Sequence, residues 1–196
     1  MATATDSTTR TRSAVPTGVW HVDPAHSSVQ FAVKHMGIAT VRGKFTRFEG
    51  TLDVGEELSS SKAYGKVDVA SIDTDEPDRD AHLRSADFFD VERYPEITYE
   101  STRVVPLDGE SSMVYGNLTM HGVTKEVRLE VVVEGTDTDP WGNERVGLTA
   151  TGVLKRSDFD MKFNQALGSG NMLVGDKVNI SLDISAVRAP TTETSQ

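Results

Sequence analysis

Hydrophobic and polar residues alternate along most of the chain, which predicts a protein built from β-strands. Between positions 28 and 35, Val29, Phe31 and Val33 fall on one face, and the residues between them are polar or small. From position 41 to 54 the apolar residues change phase midway, which indicates a bulge or a sharp bend. The predicted strands cover residues 19–23, 28–35, 41–54, 62–70, 97–105, 112–121, 124–134, 145–154 and 177–187.

These strands follow one another with mostly short connections and no long helix. The pattern favours an all-β fold, namely an antiparallel up-and-down β-barrel of about eight strands. A sandwich of two sheets is the alternative. Several strands reach ten residues or more, which at about 3.3 Å per residue gives a height on the order of 30 Å. Such a barrel is tall for a soluble protein.

The segment from Asp73 to Tyr99 interrupts the alternation with crowded charges and aromatic residues. Pro77 suits the first turn of a short helix, whose positive end is stabilised by the acidic residues around it. Phe88 and Phe89 stand side by side after this turn. The segment therefore predicts either a plain connector or a short helical lid over the mouth of the barrel.

Three inward-facing strand positions carry glycine, at Gly65, Gly116 and Gly152. A glycine weakens a strand unless something approaches it closely or the space is used. One interpretation is a bulge or an aromatic ring packed on each glycine. The other is an open apolar lumen, which would suit a long and thin hydrophobic ligand.

Length and composition predict one soluble domain. The chain has 196 residues, and we expect a barrel domain at 18–188 between disordered tails at 1–17 and 189–196. The net charge of −10 predicts repulsion from nucleic acid and from anionic membrane surfaces. There is no apolar run of the length that crosses a bilayer, so we expect no stable membrane insertion. The N-terminus lacks the apolar core of a signal peptide, so we expect a cytoplasmic protein.

Catalytic and metal-binding motifs are absent from the sequence. There is no cysteine, and none of the five histidines has a neighbour at metal-ligand spacing. The sequence has neither a nucleophile elbow nor a phosphate-binding loop. We therefore predict no metal, no cofactor and no catalytic residue.

Two basic clusters remain, at residues 79–85 and 155–157, and each comes just before an Asp-Phe pair. One interpretation is ion pairing with the neighbouring aspartates. The alternative is that Arg84 or Arg156 binds a polar or phosphorylated headgroup at the mouth of the barrel.

Several motifs together resemble the YceI-like family of lipocalin-like polyisoprenoid-binding proteins, and they follow the family's order over about residues 18–187. They are DPAHS at 23–27 with Phe31 and His35, RDAHLRS at 79–85, FFD at 88–90, YP at 94–95, GNLTMHGVT at 116–124, RSDF at 156–159 and VGDKV at 174–178.

The resemblance implies an extended eight-stranded antiparallel barrel with a long apolar cavity. It implies a bound isoprenoid chain, such as a polyprenyl phosphate or pyrophosphate or a quinone, or a fatty-acid-like lipid. Many relatives are periplasmic and carry a signal peptide, and this chain departs from them there. The family has no settled catalytic residues to carry over.

Motif position and inward phase predict the ligand-contacting residues. On the wall of the lumen we expect Phe31, Val33, Phe45, Val67, Leu118, Met120 and Leu148. At the mouth we expect Leu83, Phe88, Phe89, Phe159, Met161 and Met172, with Arg84 and Arg156 as headgroup contacts. Methionine suits a wall that adapts to variable ligands.

Three functions remain open. The leading hypothesis is a non-catalytic carrier or store for the lipid. The second is an enzyme acting on such a lipid inside the barrel, for which the phase predicts only His35 as a polar group in the lumen. The third is an interaction protein with a filled barrel, which could form a homodimer through an outer face. That face would contain Tyr64, Tyr115, Val132 and Val153.

Overall fold

The structure, a computed structural model, describes residues 13–108 and 110–190. The remaining parts of the two predicted tails, residues 1–12 and 191–196, lie outside the described residues. The strands are β1 (Gly18–Val22), β2 (Ser28–His35), β3 (Ala39–Phe45), β4 (Phe48–Val54), β5 (Lys62–Asp68), β6 (Ile72–Asp73), β7 (Glu96–Pro106), β8 (Ser111–Met120), β9 (Val123–Thr138), β10 (Glu144–Lys155) and β11 (Val174–Arg188). The α-helix α1 covers Pro77–Arg84, and single 3-10 turns cover Pro24–His26, Leu58–Ser60, Val69–Ser71 and Arg156–Phe159.

The strands close into a barrel with eight positions, and every pairing is antiparallel. The order around the barrel is β1-β4-β5-β7-β8-β9-β10-β11, and β11 pairs back to β1. β2 pairs with another part of β11, and β3 pairs with both β2 and β6. The pairs β1–β2, β3–β4 and β5–β6 thus each occupy one position of the barrel. This closure confirms the predicted barrel and excludes the two-sheet sandwich.

The predicted phase change in residues 41–54 is a break between β3 and β4. Two residues leave the strand there and bond to Ser71, with the Thr46 amide donating to its carbonyl oxygen and the Arg47 amide donating to its Oγ at 3.0 Å. Phe45 and Phe48 on either side of the break both border the barrel interior. A two-residue interruption is what lets both aromatic rings face inward.

The short helix predicted from Pro77 is α1, which begins at that proline. Its first turn is fastened to the end of β6. The buried Asp80 carboxylate accepts hydrogen bonds from the Thr74 amide at 2.9 Å and from the Thr74 hydroxyl at 2.6 Å. Arg79 donates to the same threonine through Nε and Nη2. The helix is therefore held in place over one end of the barrel.

Two hydrophobic clusters pack at that end, which we call the lid end. One contains Phe45 and Ile72, the other Met120 and Phe159, and Phe89 packs against both. Because Phe89 follows α1 in sequence, the lid is built into the core of this end.

A third cluster fills the opposite end, which we call the terminal end because the chain enters and leaves there. Val15 is 7% exposed and packs there with Trp20 and Val146, and the Trp20 indole donates to the Pro16 carbonyl at 3.1 Å. In the structure this part of the chain packs against the barrel, whereas the sequence pattern predicts a disordered tail there. Val15 stands between Ala14 and Pro16 outside any alternating stretch, so no period predicts its burial.

Candidate ligand-binding cavity

A cavity of about 430 Å³ lies inside the barrel, between the clusters at the two ends. It reaches from Val15 and Val54 at the terminal end to Phe89 and Met120 at the lid end. Apolar side chains from the inward phase of the strands form most of its wall. Such a wall can bury a long apolar molecule, because the free energy gained follows the apolar area removed from water.

Most of the predicted site residues line this cavity. They occupy inward strand positions, the lid, or the turn and loop that follow β10. They are Phe31, Val33, Phe45, Val67, Leu83, Phe88, Phe89, Leu118, Met120, Leu148, Arg156 and Met161.

Four predicted residues do not line the cavity, and three of them are apolar or aromatic. His35 is half-buried at the last position of β2, beside Ala39 and Val174 in the register, and is not among the lining residues. Phe159 is 1% exposed and packs in the Met120 cluster, outside the cavity lining. Met172 is 46% exposed in the loop before β11.

Arg84 is the fourth residue outside the cavity. Its Nε donates to the Ala70 carbonyl at 3.0 Å, and its Nη2 donates to the Ile72 carbonyl at 2.8 Å. The guanidinium group therefore holds the end of α1 against the turn before β6. The structure does not support the prediction of a headgroup contact at this residue.

Arg156 borders the cavity but has its guanidinium bonded to the main chain. It is 6% exposed and donates to the carbonyls of Gly175 at 3.0 Å, Met161 at 2.7 Å and Val174 at 3.3 Å. Burial lowers the pKa of Arg156, and the nearby Asp176 carboxylate opposes that shift. Arg84 and Arg156 both bind carbonyl oxygens, so neither guanidinium group forms the predicted ion pair with its neighbouring aspartate.

The three inward glycines fulfil different roles. A Cβ atom on Gly65 would have the Glu49 carbonyl oxygen as its nearest neighbour at 4.0 Å, so this position is open to the lumen. On Gly116 it would lie 2.5 Å from Cζ of Tyr99, and on Gly152 it would lie 2.7 Å from Cδ2 of Leu129. Close packing therefore explains the last two glycines, and open space explains the first.

Tyr99 is a cavity residue that the sequence reasoning missed. Its hydroxyl lies 3.5 Å from the Val114 carbonyl oxygen, and burial raises the pKa of Tyr99 to about 12, with a smaller contribution from the Glu126 carboxylate. The phenol is therefore neutral at physiological pH. The alternation of the strand could have identified it, because Tyr99 shares the inward phase of Ile97 in β7.

The sequence reasoning also missed a ring contact made by Phe163. This residue joins the lid to the loop that follows β10. Its ring centroid lies 5.1 Å from that of Phe88 and 5.0 Å from the His82 ring. His82 in turn contacts the Asp87 carboxylate at 2.8 Å. The sequence distance between these residues gives no local pattern that predicts the contact.

The described residues form neither a metal site nor a membrane-spanning helix. Within residues 13–108 and 110–190, no group of three or more His, Asp or Glu side chains is arranged to hold a metal ion. No helix in the same part of the chain has the length and apolarity needed to cross a membrane.

A closed eight-stranded antiparallel barrel around an apolar cavity, with one short α-helix in the described part of the chain, is a lipocalin-like architecture. The sequence profile of the YceI-like domain matches residues 20–186. The chain therefore belongs to the YceI-like family.

Relatives agree with this assignment, and solved structures share the fold. A UPF0312 protein of Vibrio parahaemolyticus is 41% identical over 138 residues, which cover 70% of this chain and 73% of that protein. The fold is similar to that of BcnA from Burkholderia cenocepacia, with a TM-score of 0.73 and 24% identity over 84% of this chain and 98% of the other. It is also similar to a polyisoprenoid-binding domain from Saccharophagus degradans, with a TM-score of 0.66 and 14% identity over 87% of this chain and 98% of the other.

Proposed function

We propose that the protein binds a long apolar lipid chain, of isoprenoid type, inside the barrel and carries or stores it without chemical change. The observation that carries the proposal is the apolar cavity of about 430 Å³ that runs between the two ends of the barrel. The solved polyisoprenoid-binding domain with the same fold supports the choice of an isoprenoid. A fatty-acid-type chain is the alternative ligand, since an apolar wall can bury either an isoprenoid chain or a fatty-acid chain.

Burial of apolar surface is the proposed source of affinity. Each Å² of lipid surface taken out of water contributes roughly 25 cal/mol, so the gain grows with chain length until the cavity is full. Immobilising the chain opposes part of this gain.

The absence of catalysis in this proposal rests on the chemistry of the lumen. The enzymatic alternative relied on His35, which lies outside the lining. Charged residues also border the cavity, and two of them, Glu49 and Lys66, pair with each other at 3.1 Å with partly exposed side chains. Tyr99 is within the lining, but a phenol with a pKa of about 12 exchanges protons poorly at neutral pH. A homodimer and a cytoplasmic location stay predictions from the sequence.

Native mass spectrometry of the purified protein, followed by organic extraction and lipid mass analysis, tests the proposal. We expect a stoichiometric added mass that disappears on denaturation and has an isoprenoid fragmentation pattern. A fatty-acid pattern would favour the alternative ligand. A protein that is free of lipid and takes up no added polyprenol, quinone or fatty acid would overturn the proposal.

A further inference from the structure

Two hairpin tips lie side by side at the lid end of the barrel, and we call them the paired tips. The first is the turn between β2 and β3, at residues 36–38, and the second is the loop at residues 164–173 before β11. They are bonded to each other, because the Met36 amide donates to the Leu173 carbonyl at 2.9 Å and Nδ2 of Asn171 donates to the Met36 carbonyl at 3.0 Å.

The paired tips stand beside the lid, at the margin of the cavity. Phe163 comes just before the second tip, and its ring centroid lies 5.1 Å from that of Phe88 on the lid. Val33 on β2 and Val174 on β11 line the cavity and lie close to the two tips in sequence. The tips therefore border the part of the cavity that the lid covers.

Hydrogen bonds hold the second tip in a defined shape. The Asn164 side chain accepts from the Val174 amide at 3.0 Å and donates to the Val174 carbonyl at 2.8 Å. Nearer the end of the loop, the Leu167 amide donates to the Asn171 carbonyl at 2.8 Å. The side chains of this loop are therefore presented from a fixed hairpin.

The surface of the paired tips is apolar and uncharged. Ile38 is 75% exposed and Met172 is 46% exposed. Residues 35–41 and 163–175 contain no Asp, Glu, Lys or Arg, although these four types make up 26% of the chain. Moving a charged side chain into an apolar phase is costly, so a surface without charges can enter one at low cost.

Basic side chains begin where the uncharged surface ends. Lys34 lies opposite Thr40 and Arg42 lies opposite Ala32 in the β2–β3 register, and both basic residues are exposed. Each is four residues from Ile38, which is at most about 13 Å along the chain. A tip that enters a bilayer by roughly 5–10 Å therefore brings both groups to the level of the lipid phosphates.

We propose that the paired tips are a docking surface for a bilayer of zwitterionic lipids, and that the ligand passes there between the bilayer and the cavity. This inference rests on the proposed lipid-binding function and names the source of the ligand. A long apolar chain is strongly disfavoured in water, and exchange by direct contact with the bilayer avoids that cost.

Charge elsewhere at the lid end favours a bilayer without net charge. Asp75, Glu76 and Asp78 at the start of α1 are exposed, and an anionic surface would repel them. Zwitterionic lipids carry no net charge, and their phosphates can accept hydrogen bonds from Lys34 and Arg42. A second copy of the chain would bring the same basic residues towards each other, so it fits the tips less well.

Transfer of tritiated geranylgeraniol from vesicles of dioleoylphosphatidylcholine to the protein tests the inference. The transfer rate is measured at increasing vesicle concentration for the wild-type protein, Ile38→Asp and Met172→Asp. Trp141→Asp is the control, because Trp141 is 82% exposed in the turn between β9 and β10 at the terminal end. Sedimentation with ligand-free vesicles measures docking without any ligand.

We expect the wild-type transfer rate to rise in proportion to the vesicle concentration, as contact-dependent exchange requires. Ile38→Asp should lower the rate and the vesicle-bound fraction by at least about tenfold, because an apolar contact with the bilayer is lost. Met172→Asp should act in the same direction, and Lys34→Gln should lower both by about two- to fivefold. Geranylgeraniol added from ethanol should bind all variants equally, and Trp141→Asp should match the wild type.

A transfer rate that does not depend on vesicle concentration, or that is unchanged in Ile38→Asp, would overturn the docking surface and leave lipid binding standing. A loss confined to Trp141→Asp would also overturn it, since the opposite end would then contact the bilayer. Self-association that Ile38→Asp abolishes, with transfer unchanged, would assign the tips to a second copy instead. If the wild-type protein takes up no geranylgeraniol from vesicles or from ethanol, the proposed function fails and this inference fails with it.

Discussion

Two arginines near the cavity donate to main-chain carbonyls, although their sequence context suggested contacts with aspartates or with a ligand. Arg156 binds three carbonyls that come from the loop after it and from β11, and Arg84 binds one from the turn before β6 and one from β6. A buried guanidinium with its donors occupied connects chain segments, and removing it leaves several carbonyls unpaired. Arg156 is therefore a residue that the fold requires.

The substitution Arg156→Met should lower the free energy of unfolding by about 2–4 kcal/mol, because three carbonyl oxygens lose their donor in a buried place. Urea denaturation measures the change. Arg42→Met is the control, since Arg42 is exposed on β3, and it should change stability by less than about 0.5 kcal/mol. If Arg156→Met and Arg42→Met are equally stable, the structural role assigned to Arg156 is wrong.

Arg145 joins two carboxylates at the terminal end of the barrel. It donates to Asp23 at 2.8 Å and to Asp139 at 2.9 Å. The hydrogen bond from Arg145, helped by His26, lowers the pKa of Asp23 from 3.8 to about 2. For Asp139, burial alone would raise the pKa, but hydrogen bonds from Arg145 and Asn143 lower it below its ordinary value.

These carboxylates predict how stability depends on pH. A folded-state pKa below the unfolded value means that the unfolded chain binds more protons, so the stabilisation is present above pH 3.8 and is lost as the pH falls towards about 2. Arg145→Gln should lower the urea midpoint at pH 7. It should also reduce the further loss of stability as the pH falls from 3.8 to about 2. Arg42→Gln is the control. A parallel pH profile in Arg145→Gln and the wild type would contradict this account.

At the scale of the strand, mid-strand glycines decide where the barrel is full and where it is hollow. A Cβ atom on Gly152 would lie 2.7 Å from Cδ2 of Leu129 and 3.0 Å from the Arg128 carbonyl oxygen, so this glycine allows close packing. Gly65 faces open lumen. The same residue type therefore serves packing in one strand and ligand space in another.

Gly65→Leu should keep the fold and reduce ligand binding. A Cβ atom at this position has its nearest neighbour at 4.0 Å, and leucine favours a strand more than glycine does, so the urea midpoint should stay the same or rise. It occupies the lumen, so the affinity for a long prenol should fall by at least about tenfold, given roughly 0.8 kcal/mol for each methylene that can no longer be buried.

Gly152→Leu is the matched comparison for this experiment. It should lower stability, because the clash includes the fixed Arg128 carbonyl. Undiminished prenol binding by a folded Gly65→Leu variant would show that the ligand does not use this part of the cavity.

The strands and the lid could be predicted from sequence because their signals are local. A period of two identified β2 with its observed bounds, and Pro77 marked the start of α1. Contacts between distant segments have no such signal. The partners of Arg156 lie 5 to 19 residues away, and the Tyr99 ring lies over a glycine of the neighbouring strand, so these contacts depend on register and side-chain direction.

On the scale of the whole molecule, the barrel has packed ends and a hollow middle. The clusters around Trp20 and around Phe45 and Met120 close the two ends, and the cavity separates them. An apolar cavity lacks the dispersion contacts of a filled core, so a ligand that fills it stabilises the folded state by mass action. The ends therefore provide the fold and the middle provides the proposed function.

Calorimetric titration with prenols of increasing length, from geraniol through farnesol to geranylgeraniol, tests the central claim most directly. If the chain is buried in the lumen, affinity rises with each isoprene unit until the cavity is full, by at most about 0.8 kcal/mol per buried methylene. The heat-capacity change should also become more negative with chain length over the same range. An affinity and a heat-capacity change that do not depend on chain length would contradict the account, because the chain would then lie outside the barrel.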